Sequence, residues 1–387
     1  MKIDKNKLTI IIIGFLDVLS IGIFIPTLPD LITYYGVSAH MISYSIVAYG
    51  LFSFLSGPFL GQLSDRYGRK KILLLCVLGS FISSFFMSIT SVFWAFLLGR
   101  IINGITGGNI SIVQSMLSDI SKTKEERLQN MGILGGLFGA GFIIGPIIGS
   151  LLLPFGVKAP FWFMTLFSLI EVFMLLLFLR ETNENMVQKK IKVNPFGSIV
   201  KYLKNNEVKI FLISFFTLIS SFSLYQGMLP VFLSKQYNLP GHTSGYVMSG
   251  IGLIIAINQA ILLKKFWLKY FSLKKLFYIS NIGIFIIFIL LSIIKPLWLF
   301  LIVFFLLIFF QGIINPIYQG EIVENTHLHD RGEIMGVLSS LQSMSMFIGP
   351  LIGGFCIDKG ISIFLLGSVI VFINILILSG LIKKIKN

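Results

Sequence analysis

Three ionisable side chains stand inside long apolar runs, where an unpaired charge costs several kcal/mol. Asp17 lies about nine residues, roughly 13 Å, within the first run. Glu171 stands within the sixth, and Arg100 within the fourth, about six residues or roughly 9 Å from its outer edge. A carboxyl group at such depth can load a proton and release it as its surroundings change, and a substrate cation can compete for the same oxygens. A guanidinium inside a span must be paired or solvated, so Arg100 faces an interior or else snorkels to the nearer edge. Asn103, at i+3, shares the Arg100 face. Asp17 and Glu171 each have a plainer alternative, a local structural hydrogen bond.

A second cluster lies between runs. Gly61-Gln62-Leu63-Ser64-Asp65-Arg66-Tyr67-Gly68-Arg69-Lys70-Lys71 sets one carboxylate among four cations, in a chain with only 12% charged residues. Gly61 allows close packing, and Gly68 suits the positive φ of a tight reversal. The cations alone read as an orienting loop, but Asp65 adds nothing to orientation and points to a specific contact. Asp119, at the inner end of the fourth run, offers Arg69 a partner. In the fifth run Gly135 and Gly139, then Gly141, Gly145 and Gly149, recur every four residues, so that each set stacks on one helix face and admits a neighbouring backbone, with Pro146 adding a bend.

These residues must be positioned by membrane helices. The chain is 55% hydrophobic with a mean hydropathy of +0.90 over 387 residues, a composition that fits a polytopic all-α membrane protein. Twelve runs are long enough to cross a bilayer: Leu8–Leu28, Ile42–Leu60, Ile72–Val92, Trp94–Met116, Met131–Leu153, Phe161–Leu179, Ile210–Leu233, Ser244–Leu263, Leu276–Ile294, Leu297–Ile317, Ile334–Phe355 and Ile361–Ile382. The net charge of +15 falls almost wholly on alternate loops, the positive-inside pattern, and predicts cytoplasmic N- and C-termini in a plasma-membrane protein. The surplus cations meet anionic headgroups rather than nucleic acid. The first run is too long for a cleavable signal and no small-residue cleavage site follows it. Cys76 and Cys356 read as unpaired apolar fillers. No catalytic constellation, nucleotide loop or metal cluster is present in the sequence, so an enzyme, a bound cofactor and a metal are not expected.

The halves repeat. At an offset of 204, Gly132–Ser150 aligns with Gly336–Gly354, Gly145-Pro146 with Gly349-Pro350, and Arg127 and Met131 with Arg331 and Met335. Two six-helix bundles are therefore expected, 1–180 and 207–387, joined by a polar cytoplasmic connector over 181–206 with a turn at Asn194–Gly197.

With these motifs the chain resembles the major facilitator superfamily, in its twelve-span drug:proton antiporter branch of tetracycline and multidrug exporters. The Gly61–Lys71 loop, Leu98–Gly108 around Arg100, Gly135–Gly149, and Phe15–Pro29 around Asp17 carry the resemblance. It implies two pseudo-symmetric bundles around a central cavity, working by alternating access as a functional monomer. It makes Asp17, Arg100 and Glu171 the proton-coupling candidates, although sixth spans in this fold usually lie on the bundle periphery. Arg100 would reach toward Asp17 and bias it to its charged form. Gly61, Asp65, Arg66, Gly68, Arg69 and Asp119 become a cytoplasmic gate, with Asp65 docking on the helix that begins near Gly332–Ile334 when the protein is open outward. Gly141, Gly145, Pro146 and Gly149 match a signature of exporters. Substrate binding would fall to Asp17, Asn103, Gln114, Tyr225, Gln226, Gln311 and Asn315. The implied function is efflux of a lipophilic, drug-like small molecule in exchange for protons. Proton-coupled transport of a native metabolite, such as a sugar, peptide or siderophore-like molecule, is the alternative.

Overall fold

The computed structural model describes residues 5–183, 197–204, 206–326 and 331–385, and their regular elements are helices. Among the described residues eleven helical stretches are long and apolar enough to cross a membrane, and Ile363–Ser379 adds a shorter apolar one. Hydrocarbon offers no partner for a free backbone amide, so the apolar runs close their hydrogen bonds internally as helices.

The first compact unit holds Met1–Val193 with Leu233–Ser249. Its helices are α1 (Lys5–Phe24), α2 (Leu28–Tyr35), α3 (Ala39–Tyr67), α4 (Arg69–Ile89), α5 (Phe93–Ile105), α6 (Asn109–Asp119), α7 (Lys124–Leu152) and α8 (Ala159–Leu177). The first run does not stop at Leu28. A short tight turn at Ile25–Thr27 bends it and α2 carries it on to Tyr35, because Pro26 and Pro29 occupy first-turn positions that need no amide. The fourth run breaks at Thr106-Gly107-Gly108, where two adjacent glycines give little reason to stay helical. The Gly107 amide donates to the Gly104 carbonyl at 3.0 Å and Ser56 Oγ adds a second bond at 3.0 Å, so the break leaves that group satisfied. It also places Asn109 at the first position of α6, facing inward and 5% exposed.

The main packing within this unit pairs α1 with α7, α3 with α5, and α4 with α8. The glycine stripe of α7 divides. A Cβ at Gly145 would lie 2.8 Å from Gly22 Cα and 2.9 Å from the Leu19 carbonyl, so here two backbones touch. Gly149 packs on the Ile23 backbone in the same way and Gly141 on the Val18 side chain, whereas a Cβ at Gly135 or Gly139 would meet none of the described residues within 4 Å. Close approach therefore belongs to the Gly141–Gly149 half of the stripe alone. The stretch Leu233–Ser249 packs in the same style, with Ser249 Oγ donating to the Ile143 carbonyl at 2.7 Å.

The second unit holds Asn194–Phe232 and Gly250–Asn387. Its elements are α9 (Gly197–Leu203), α10 (Asn206–Gln226), the start of α11 (Leu229–Tyr237), the end of α12 (Gly241–Ile257), α13 (Leu268–Tyr270), α14 (Leu273–Ile293), α15 (Leu297–Glu324), α16 (Arg331–Asp358) and α17 (Ile363–Ile385). A wider-wound stretch, Asn258–Trp267, joins α12 to α13. There Trp267 Nε1 donates to Asn258 Oδ1 at 2.8 Å, and Asn258 donates to the Phe309 carbonyl. Gly349 and Gly353 of α16 press on Ser223 and Leu224 of α10, as Gly145 and Gly149 press on α1. Ser214, Tyr318, Asn281 and Asn374 form a buried neutral network in this unit. Residues 184–196 of the expected connector, its turn at Asn194–Phe196, and the side chains of Arg127, Met131 and Arg331 lie outside the described residues.

Gly145→Ala should lower the melting temperature of the detergent-purified protein, with an overpacking cost of about 1–3 kcal/mol. Gly139→Ala should leave it unchanged. Equal melting of the two variants would show that the Gly22–Gly145 contact carries no weight.

Candidate functional site

Within the first unit α1, α3, α4, α5, α6 and α8 enclose a polar cavity of about 40 Å³. Asp17, Ser20, Tyr49, Ser80, Ser84, Arg100, Asn103, Asn109 and Ser168 line it. Such a volume holds a few waters, far short of the roughly 300–1,000 Å³ that encloses a drug-sized ligand. Asp17 Oδ1 accepts from Asn109 Nδ2 at 2.7 Å, and Asn109 Nδ2 lies 3.5 Å from Ser80 Oγ. The second oxygen, Asp17 Oδ2, is buried with no partner, as is Asn109 Oδ1. A polar cavity beside two unpartnered acceptors is suited to water and to a mobile proton.

Arg100 lines the same cavity, yet it does not pair with Asp17. Its guanidinium lies 4.0 Å from the centre of the Phe24 ring and 4.6 Å from that of Tyr49, and Nε donates to the Ser45 carbonyl at 3.1 Å. Arg69, by contrast, is paired with carboxylates, those of Asp65 and Asp119. The expected reach of Arg100 toward Asp17 is replaced by two aromatic faces and a carbonyl, which hold a buried cation without a counter-ion. At 5% exposure the side chain is not snorkelling. Glu171, expected on the bundle periphery, points inward instead: it is 1% exposed and lies within electrostatic range of Asp17. The α8 helix packs on both α1 and α4, so the Glu171 face looks into the unit.

The second cluster lies at the α3–α4 turn. Gly68 adopts φ 100° between the helices, a conformation that L side chains rarely take. Arg69 then reaches Asp65 Oδ1 at 2.6 Å, Asp119 Oδ2 at 3.0 Å and Ser64 Oγ at 2.7 Å. Gly61 meets no neighbour that a Cβ would disturb, and Arg66 is exposed with its guanidinium over the Tyr67 ring. The chain beyond α8 folds back onto this turn. Glu181 accepts from the Arg69 and Lys70 amides at 2.9 and 3.0 Å, capping the first turn of α4. Lys70 Nζ donates to the Leu179 carbonyl at 2.7 Å, and Asn183 Nδ2 donates to the Asp65 carbonyl at 2.9 Å. Exposed ion pairs are worth only about 0.2–1 kcal/mol each. One guanidinium held by two carboxylates beside a capped helix forms a network, and its worth is in fixed geometry.

A family model described as Major Facilitator Superfamily matches residues 10–266 and 260–385. The chain belongs to the Major Facilitator Superfamily. Its relatives in that superfamily include the class H tetracycline resistance protein of Pasteurella multocida, 30% identical, with 91% of this chain and 89% of that one aligned. The quinolone resistance protein NorA of Staphylococcus aureus strain MRSA252 is 26% identical, with 93% and 94% aligned. The fold is also that of the human organic anion transporter MFSD10, with a TM-score of 0.72 at 20% identity over 97% of this chain and 99% of that one. The chain is thus a multi-pass membrane protein of the superfamily fold.

The substrate-binding candidates do not gather at one place in either unit. Asp17 and Asn103 line the cavity, whereas Gln114 is exposed on α6. In the second unit Tyr225 is 1% exposed among Phe222, Phe288, Phe304 and Phe364, with its hydroxyl donating to Gln311. It packs in the core of that unit rather than standing open on a cavity. Gln226 and Asn315 are exposed. Sequence reasoning passed over Asn109, Tyr49, Phe24 and Glu181. The Gly107-Gly108 break ahead of Asn109 was the one signal that could have singled it out.

Glu181→Ala should cost about 1 kcal/mol through loss of the α4 cap. It should lower the melting temperature in a thermal-shift assay, with Glu181→Gln in between. Native melting of Glu181→Ala would show that the cap contributes nothing.

Proposed function

We propose that the protein is a secondary active exporter of lipophilic, drug-like compounds, exchanging them for protons by alternating access. The observation that carries this reading is the small polar cavity at Asp17, where a carboxyl oxygen without a partner faces room for water and a buried Arg100 shares the lining. The proton is the cargo such a cavity fits. The drug comes from the relatives, whose names record resistance to tetracyclines and quinolones. Export is supported by the backbone contact of Gly145 with Gly22, which gives the exporter-type glycine signature a packing role.

In this proposal Asp17 takes up and gives back the proton, and Arg100, held by rings rather than by an acid, keeps positive potential on the cavity. The Asp65–Arg69–Asp119 network forms one side of a gate at the membrane face that the lysine and arginine pattern assigns to the cytoplasm. Asp65 docking near Gly332–Ile334 in the outward-open state belongs to the same proposal. The termini lie on the cytoplasmic face as well.

Inverted vesicles carrying the native protein should release protons when tetracycline, norfloxacin or ethidium is added, and Asp17→Asn should abolish that response. Release that survives Asp17→Asn would remove Asp17 from the coupling step. No response from native vesicles to any of the compounds would transfer the reading to a native metabolite. Asp65→Asn should insert normally and lose transport, and full activity there would sink the gate assignment.

A further inference from the structure

Glu171 is the buried acid for which the cavity at Asp17 has not accounted. It is 1% exposed on α8, and its Oε2 has no partner. Ser168, three residues earlier and so on the same helix face, lines the cavity with Asp17. Glu171 lies about 4.5 Å further along α8 than Ser168, toward the face that the charge pattern assigns to the cytoplasm. Beyond it the same helix contributes Val172 and Leu175 to a dry apolar cluster with Ile10, Ile13, Leu73, Cys76 and Val77. Glu171 therefore stands between a polar-lined cavity and an apolar cluster. The titratable groups near it on the helices packed against α8 are Asp17 of α1 and Cys76 of α4.

We propose that Glu171 is a proton relay station, taking the proton that Asp17 releases through the Ser168 end of the cavity and holding it against the apolar cluster until water entering in the inward-open state takes it. One O–H bond breaks at Asp17 and one forms at Glu171, with water or the Ser168 hydroxyl between them, so the total charge of the pair is unchanged. Two carboxyl groups in range of each other in a low-dielectric site resist being charged together, which favours handing one proton between them.

The second unit carries, on the corresponding helix, a buried polar group that serves packing alone. Gly156 and Gly360, both at positive φ, align at the offset of 204 and set α8 against α17. That alignment sets Ile375 at the Glu171 position, with Asn374 one residue before it. Asn374 is neutral and fully engaged, accepting from Ser214 Oγ at 2.6 Å and donating to Asn281 Oδ1 at 2.7 Å. Glu171 is an acid left with an open oxygen, an arrangement suited to a travelling proton.

This inference rests on the export reading, and two measurements keep the two apart. In proteoliposomes loaded with a pH dye, the number of protons moved per tetracycline should fall at least about tenfold in E171Q. E171D should restore most of it, and S168A should lie between. A native ratio in E171Q overturns the relay, and so does a native ratio in E171A if E171Q does not yield folded protein. The second measurement needs no drug. The acid-minus-alkaline infrared difference spectrum of the purified protein should hold two protonated-carboxyl bands, of which D17N removes one and displaces the other. A Glu171 band unmoved by D17N overturns the relay, whereas absent tetracycline-driven proton movement in the native protein overturns the export reading.

Discussion

A hydrocarbon interior supplies no hydrogen-bond partner and no counter-ion, so whatever polarity this chain carries into the membrane must be answered from within the protein. Each distinctive feature of the first unit is such an answer. The broken fourth run is tolerable because the Gly107 amide and the Ser56 hydroxyl both reach the Gly104 carbonyl. The Arg100 guanidinium is tolerable because Phe24, Tyr49 and the Ser45 carbonyl surround it. Asp17 is answered only by half, through Asn109, and Glu171 has an oxygen with no answer at all. Open acceptors of this kind are expensive in a static structure and useful in one that must move a proton.

The two units share a packing scheme and differ in what they do with polar groups. In each, small residues of the fifth helix press against the backbone of the first: Gly145 and Gly149 on Gly22 and Ile23, Gly349 and Gly353 on Ser223 and Leu224. The second unit then spends its buried polarity on a closed neutral network around Tyr318 and Asn374. The first keeps Asp17 on a cavity and leaves an oxygen of Glu171 without a partner. Repetition supplies a scaffold twice, while the open buried acids stand in one copy.

The turn at Gly61–Lys71 follows a related logic at the membrane surface. Water is available there, so single ion pairs are worth little. Geometry is enforced by number instead: Arg69 between two carboxylates, the α4 amides on Glu181, and the chain after α8 folded back over the turn. Asp65, Asp119 and Glu181 thus all meet at Arg69.

Hydropathy alone determined that the chain spans a membrane many times, and charge placement set its expected orientation, because both reflect a free energy of transfer that each residue carries wherever it is packed. The repeat and the glycine spacing likewise predicted two similar bundles and a close helix contact, since four-residue spacing stacks small groups whatever the partner is. What each buried charge would meet was beyond the sequence. Arg100 finds rings rather than Asp17, Glu171 turns inward rather than to the periphery, and Glu181 caps a helix more than a hundred positions earlier in the chain. Those outcomes depend on the rotation of each helix about its axis and on contacts between residues remote in the chain. A sequence states that a charge must be satisfied; the group that satisfies it is chosen by tertiary packing.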